Sequence, residues 1–441
     1  MPRTGGVKKI ILKIPPKEVT ALNALKENKM KNTLSDFFSQ IKGTLLSLLI
    51  GAILYIGFLL LRGSETSTFF AGKGGLADFA GKGGLVDLAG KGGLADLAVR
   101  HITTPIRRMM GWLCDFLPFS IMETLILLAA FLAVIILIRS IFLLIRRHGK
   151  TEKAIVLTRT IGFFLAAALL IWDGYCWLWG LDYYKPGFSE LSGLSDRPVS
   201  AEELSAATAH YAAEANRLSL LVSRDENGLF NESLTDILEQ SDEIYAGLAD
   251  VYPFLNAPHR TPKAMRFSGL MSRIGYTGVY FPFTSETNIN IDAPLALIPS
   301  TIAHELAHQR GIAPEQDANF VAVRACMTSG KNAYAYSGAL LAYIHLGNAL
   351  YEADRAAWET VYNSLSAEVK ADLAENNRYW EAFRETGQET ADKIYEAFLS
   401  SYGQTLGTKS YGACVDLLTV DYLNQAQEKA SAFLSEVDGI S

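Results

Sequence analysis

The sequence predicts a mainly α-helical protein, with three transmembrane helices near the N-terminus followed by a mostly helical extracytoplasmic domain that carries a small β hairpin or edge strand. Three observations lead there. Apolar runs at 45–61, 121–145 and 160–181 are each long enough to span the hydrocarbon of a bilayer. Charge is unevenly shared: residues 1–160 hold 22 Lys and Arg against 10 Asp and Glu (+12), and the remainder hold 18 against 36 (−18), within a net charge of −6. Beyond residue 181, apolar residues recur mostly at helical rather than alternating spacing. A basic apolar front and an acidic back fit a membrane anchor joined to a water-facing domain, and no nucleic-acid-binding motif is present.

Taken in order, residues 1–42 carry nine Lys and Arg and no cleavable apolar core, which makes them a basic cytoplasmic tail rather than a signal peptide. Lys26, Lys29 and Lys31 fit a lipid-headgroup contact, although a solvated charged helix is the commoner use of such a run. Residues 43–62 form the first span. Residues 63–120 form an external loop in which a nine-residue Gly-rich unit, Ala71–Phe79, repeats through Ala80–Leu88 and Ala89–Leu97; it reads as a spacer with no chemistry of its own. The second span, 121–145, keeps Glu123 and Arg139 toward its ends. Arg146, Arg147, Lys150 and Lys153 make 146–159 a cytoplasmic link by the positive-inside rule. The third span, 160–181, ends among Trp172, Tyr175, Trp177 and Trp179, a cluster suited to the membrane surface, where Asp173 is expected to stay wet. The N-terminus is then cytoplasmic and residues 182–441 lie outside.

In that domain a helix is expected from Ser200, with Glu203 at capping-box spacing, and another over 234–252. The aromatic stretch Gly275–Thr284 is the one convincing strand; Pro282 restricts it to an edge, where it either aligns an extended peptide or merely packs on the following helix. Further helices are expected over 334–350 and 367–383. His345 lies among apolar neighbours, where a packed histidine is commoner than a ligand. Cys114, Cys176, Cys326 and Cys414 are too few for a disulfide scaffold.

The chemically explicit segment is His304-Glu305-Leu306-Ala307-His308. On a helix, His304 and His308 stand one turn apart on the same face, so both imidazoles reach one Zn2+ ion, while Glu305 is placed as general base toward a water whose pKa zinc lowers to roughly 7. Chance alone gives this pattern in roughly one such chain in a hundred or fewer. Gly311 then supplies a left-handed helix stop and Pro314 a fresh start. Glu315, in the first turn of the next helix, is favoured as the third ligand, with Asp317 as the alternative.

The run His304 through Gly311, followed by Glu315 through Phe320, resembles the signature of the domain of unknown function 3810 family, uncharacterised bacterial multi-pass membrane proteins with a zincin-like domain. The exit segment Trp179–Pro186 and Ser410-Tyr411-Gly412 resemble further motifs of that family. Glu315-x-x-Ala318-Asn319 is also similar to the third-ligand helix of membrane-embedded zinc endopeptidases of the prenyl-protein type, which usually carry Asp where Asn319 stands. The resemblance implies a bacterial cell-membrane metallopeptidase. Tyr411 is the candidate phenol donor to an oxyanion.

The expected function is hydrolysis of peptide bonds outside the cytoplasm by a membrane-anchored zinc endopeptidase, with a peptide or protein as substrate and the lipid bilayer as second partner. The rival is a non-catalytic, zinc-stabilised sensor or partner-binding protein, for which Glu305 has no chemical use. Nothing in the sequence sets an oligomeric state. Topology is testable by cysteine labelling of intact cells. With the native cysteines removed, new ones at Ser189 and Ser441 should react with an impermeant reagent from outside, and protection of both contradicts the external placement.

Overall fold

The computed structural model describes residues 16–62, 93–195, 197–383 and 411–438. The chain is mainly helical with one small sheet, and it folds as two compact units: one from 1–55 and 129–173, the other from 56–128 and 174–441.

The first unit contains most of the three long apolar helices, α1 (Pro16–Leu61), α3 (Ile121–Arg146) and α4 (Lys150–Leu178), while α2 (Thr104–Asp115) belongs to the second. Segments of 32, 26 and 29 residues within the long helices, Met30–Leu61, Ile121–Arg146 and Lys150–Leu178, are long and apolar enough to cross a membrane. At 1.5 Å per residue even the shortest reaches about 39 Å, beyond the roughly 30 Å of hydrocarbon. No break separates the basic segment from the first span, since the stretch before it is built of good helix formers and Glu27 pairs with Lys31 one turn on at 3.5 Å. The side chains of Lys26 and Lys29 lie outside the described residues. Between α3 and α4, Ser140 and Thr160 share a hydrogen bond of 2.7 Å. Asp173 departs from the expected wet position: α4 continues past it to Leu178, and the carboxylate is buried beside Gly51, whose missing side chain leaves room for it.

In the second unit, residues 63–92, which hold most of the repeat, lie outside the described residues. The chain from Gly93 onward is helical rather than loop: Gly93–Ala98, a π-helical turn at Val99–Thr103, then α2, with Pro105 directly after the π-helical turn. Arg107, Gly111 and Cys114 form its buried face at i, i+4 and i+7 spacing. The helix at Ser200 forms as expected, α5 (Ala201–Ser219), with a complete Ser200–Glu203 capping box. The expected helix over 234–252 is instead two, Leu234–Gln240 and Ala246–Val251, because Ser241 bonds back to the Leu238 carbonyl and the Tyr245 phenol is drawn inward to the Ala303 carbonyl at 2.6 Å.

The expected strand lies in a three-stranded sheet of order β1-β3-β2, formed by β1 (Lys263–Ala264), β2 (Gly278–Phe281) and β3 (Glu286–Ile289). β3 pairs parallel to β1 and antiparallel to β2, with Tyr280 opposite Thr287. β2 is therefore an edge, although Pro282 falls in the turn after it rather than in the strand. β3 hid from the pattern because its buried residues include Glu286, Thr287 and Asn288. Glu286 has a reason to be polar: its carboxylate accepts the N–H groups of Ile121 and Met122 at 3.0 and 3.1 Å, capping the start of α3. In return Glu123 of α3 accepts the N–H groups of Arg266 and Phe267.

The longer of the remaining helices are α6 (Ile298–Gln309), α7 (Glu315–Thr328), α8 (Asn332–Ala353), α9 (Arg355–Ser364), α10 (Ala367–Glu381) and α11 (Tyr411–Asp438). α8 is the central rod of this unit, packing on α5, α6, α7, α9 and α11, with Tyr334, Tyr336, Leu340 and Leu346 inaccessible to solvent. All four cysteines are free and buried.

Candidate metal centre

The site is built by two helices and the bend between them. α6 carries Pro299 and Ser300 in its first turn and buries Ile302, Ala303, Leu306 and Ala307 in the core, which turns His304 and His308 to the other side. It stops at Gly311, whose φ of +85° is the left-handed conformation that Gly adopts without a Cβ clash. There the Gly311 N–H reaches the His308 carbonyl at 2.8 Å and the Ile312 N–H reaches Ala307 at 3.1 Å. The chain reverses, and Glu315 returns over the two imidazoles as the first residue of α7.

Glu315 Oε2 lies 3.1 Å from His304 Nε2, and Oε1 lies 3.6 Å from His308 Nε2. One ligand atom from each residue falls within 4.8 Å of the others. Asp317, the alternative, is turned away and accepts the Phe188 N–H at 3.0 Å. The other nitrogen of each ring is already engaged: His304 Nδ1 with Asn319 Oδ1 at 2.9 Å, and His308 Nδ1 with the Ile312 carbonyl at 2.7 Å. Both Nδ1 atoms face acceptors and carry a proton, which leaves Nε2 as the atom of each ring that a metal ion would take, displacing any proton there. The donor set fits zinc. Two imidazole nitrogens and a carboxylate oxygen are the donor types zinc takes, and one such atom from each residue lies within 4.8 Å of the others.

Glu305 is buried, and burial raises its pKa above the usual carboxylate value against the opposing pull of His304 and His308. A hydrogen bond from the Tyr280 backbone N–H also holds its charged form. For His308, burial opposes the charged form, but Glu315 outweighs it and carries the pKa up to about 9; the same pairing holds Glu315 well below its usual value despite its own burial.

These residues line a cavity of about 720 Å³. Its opposite wall is the edge strand and the turn before it, from Gly275 to Tyr280, and Tyr183, His345 and Trp380 also face it. Sequence reasoning missed Tyr183, which the pattern places only in the segment leaving the third span, and passed over His345. Tyr183 is nearly enclosed, and burial together with the Glu315 charge raises its pKa. Burial and the neighbouring His304 lower His345 to about 4, so it is neutral near pH 7. Both are polar residues in apolar company, and only the fold brings them to the candidate ligands. Tyr411 heads α11, and its side chain lies outside the described residues.

Residues 99–419, which include every residue of this site, match the family model described as protein of unknown function, DUF3810. The chain belongs to the DUF3810 family. No curated protein and no solved structure matches it. The DUF3810 match begins at the π-helical turn before α2 and ends within α11, so it spans the second unit's helices and the two later apolar helices alike.

Gly278 of β2 faces Glu305 closely enough that a Cβ there would stand 2.8 Å from Glu305 Cγ and 3.0 Å from Thr301 Cγ2. Gly278→Ala should therefore displace Glu305 and lower stability by about 1–3 kcal/mol. Thermal unfolding of the purified protein measures this, and an unchanged melting temperature contradicts the close packing.

Proposed function

We propose that this protein is a membrane-anchored, zinc-dependent endopeptidase with a zincin-like site, acting on peptide segments outside the cytoplasm. The observation that carries this reading is the convergence of His304, His308 and Glu315 at one point with Glu305 beside them, in a cavity walled by the edge strand β2. Three protein ligands leave a fourth position open, the arrangement of catalytic rather than structural zinc. A zinc ion there supplies Lewis acidity toward a scissile carbonyl and makes water acidic enough to attack near pH 7. Glu305 accepts the proton from the attacking water and delivers it to the leaving amine, and its raised pKa matches both halves of that task. β2 aligns the substrate as an added strand. Tyr183 and His345 are the polar side chains on the cavity wall suited to hydrogen-bond the developing oxyanion.

The extracytoplasmic placement rests on the basic link between the second and third spans and on the basic segment ahead of the first. The non-catalytic alternative gains no specific support, because a site that only holds zinc has no need for a buried acid beside the ligands.

The full-length protein should hold about one zinc per chain. His304→Ala with His308→Ala should remove it, while Glu305→Gln should keep it and lose a hundredfold or more of the hydrolysis of unfolded polypeptides, within the range that general-base catalysis contributes. Cleavage is followed by mass spectrometry on a mixture of denatured proteins and native membrane proteins. Hydrolysis that survives Glu305→Gln, or none in the zinc-loaded wild type, rejects the peptidase.

A further inference from the structure

A second cavity, of about 340 Å³, is lined by Arg100, Arg107, Arg108, Lys185, Arg260 and Arg310, and its one lining carboxylate is Asp96. Their partners fall short of their number. Arg107 and Lys185 share Asp182 at 2.8 and 2.9 Å, Arg260 pairs with Asp115, and Arg100 with Asp96. Among the described residues Arg108 reaches only the Asn256 carbonyl, at 3.5 Å. Arg310 makes no ion pair among the described residues. One of its guanidinium N–H groups goes to the Leu306 carbonyl at 3.0 Å, its face lies 3.9 Å from the centre of the Tyr245 ring, and its buried Nε has no hydrogen-bond partner. Six cations thus meet three carboxylates, and the best-enclosed unpaired guanidinium keeps an unused donor.

Burying an arginine without a counter-charge is unfavourable, and a planar guanidinium is matched by a tetrahedral oxyanion that accepts parallel hydrogen bonds. We infer that this cavity binds a phosphate group, with Arg310 and Arg108 as its main contacts and the paired Arg107, Lys185 and Arg260 as the surrounding positive field. The site is distinct from the zinc cavity, which shares none of these lining residues. Two sources carry this chemistry, an anionic phospholipid headgroup and free phosphate. α2 bears on the first: while it contributes Arg107 and Arg108, its outer face exposes Met109, Trp112 and Leu113, and Phe116 lies just past its end. Basic residues beside exposed aromatic and aliphatic ones on a single helix are the composition of an element lying in a bilayer interface.

The test uses delipidated full-length protein in a neutral detergent. Thermal unfolding is followed against inorganic phosphate, short-chain phosphatidylglycerol and short-chain phosphatidylcholine at matched ionic strength. Stabilisation by phosphatidylglycerol alone assigns a lipid headgroup, and stabilisation by phosphate as well assigns the phosphate group itself; either supports the site. Arg310→Met should weaken the effective ligand about tenfold, the loss expected for charge-assisted hydrogen bonds. Arg108→Gln, at an exposed position, should weaken it severalfold and decides the matter if the Arg310 variant does not fold. Equal responses to all three additives, or affinities unchanged in the variants that fold, overturn the inference.

Discussion

The reversal of the chain at Gly311 is the constraint on which the candidate centre depends. A left-handed residue there ends α6 directly after His308 and lets α7 begin with Glu315 above both imidazoles. The same bend aims the Ile312 carbonyl at His308 Nδ1, which fixes the ring that Glu315 must face. Space enforces it as well as conformation: a Cβ on Gly311 would meet Lys185 Nζ at 2.8 Å and Asp182 Oδ1 at 3.1 Å. A side chain at this position would disturb the ligand geometry and the buried charges behind it together.

Those charges tie distant parts of the sequence to the site. Asp182, just past the third apolar helix, is fully enclosed between Arg107 of α2 and Lys185. Removing one member of a buried pair of this kind costs about 3–5 kcal/mol, because the other is left charged and dry. Two aromatic residues from the same exit segment complete the cavity around the candidate ligands: Trp179 stacks edge-on against His308 with centres 5.4 Å apart, and Tyr183 lines the wall beside Glu315. The segment that follows the third apolar helix is thus part of the site's wall.

The grouping of His304, His308 and Glu315 was legible because its geometry is local. Two histidines at i and i+4 share a helix face whatever surrounds them, and Gly311 with Pro314 after it marks the bend that brings Glu315 near. The spans and the α5 capping box were legible for the same reason, each resting on a short run of residues. The elements that escaped depend on long-range contact. β3 holds buried Glu286 and Asn288 in an order no alternation rule reads as a strand, and Glu286 is satisfied only by the distant N–H groups of Ile121 and Met122. α2 was hidden by the Gly-rich stretch before it and by Arg107, an unpromising core residue until Asp182 is placed beside it. Asn319, whose place in a related pattern is usually taken by Asp, orients His304 through an amide oxygen where a carboxylate would do the same.

The central claim is a three-ligand zinc centre with one open position, and X-ray absorption at the zinc edge on the purified full-length protein tests it most directly. One zinc per chain is expected, with four nitrogen or oxygen neighbours at about 2.0–2.1 Å, two of them imidazoles, and no sulfur, and with one imidazole lost in His304→Ala. A spectrum with sulfur at about 2.3 Å, or one unaltered by His304→Ala, would place the metal elsewhere and contradict the account.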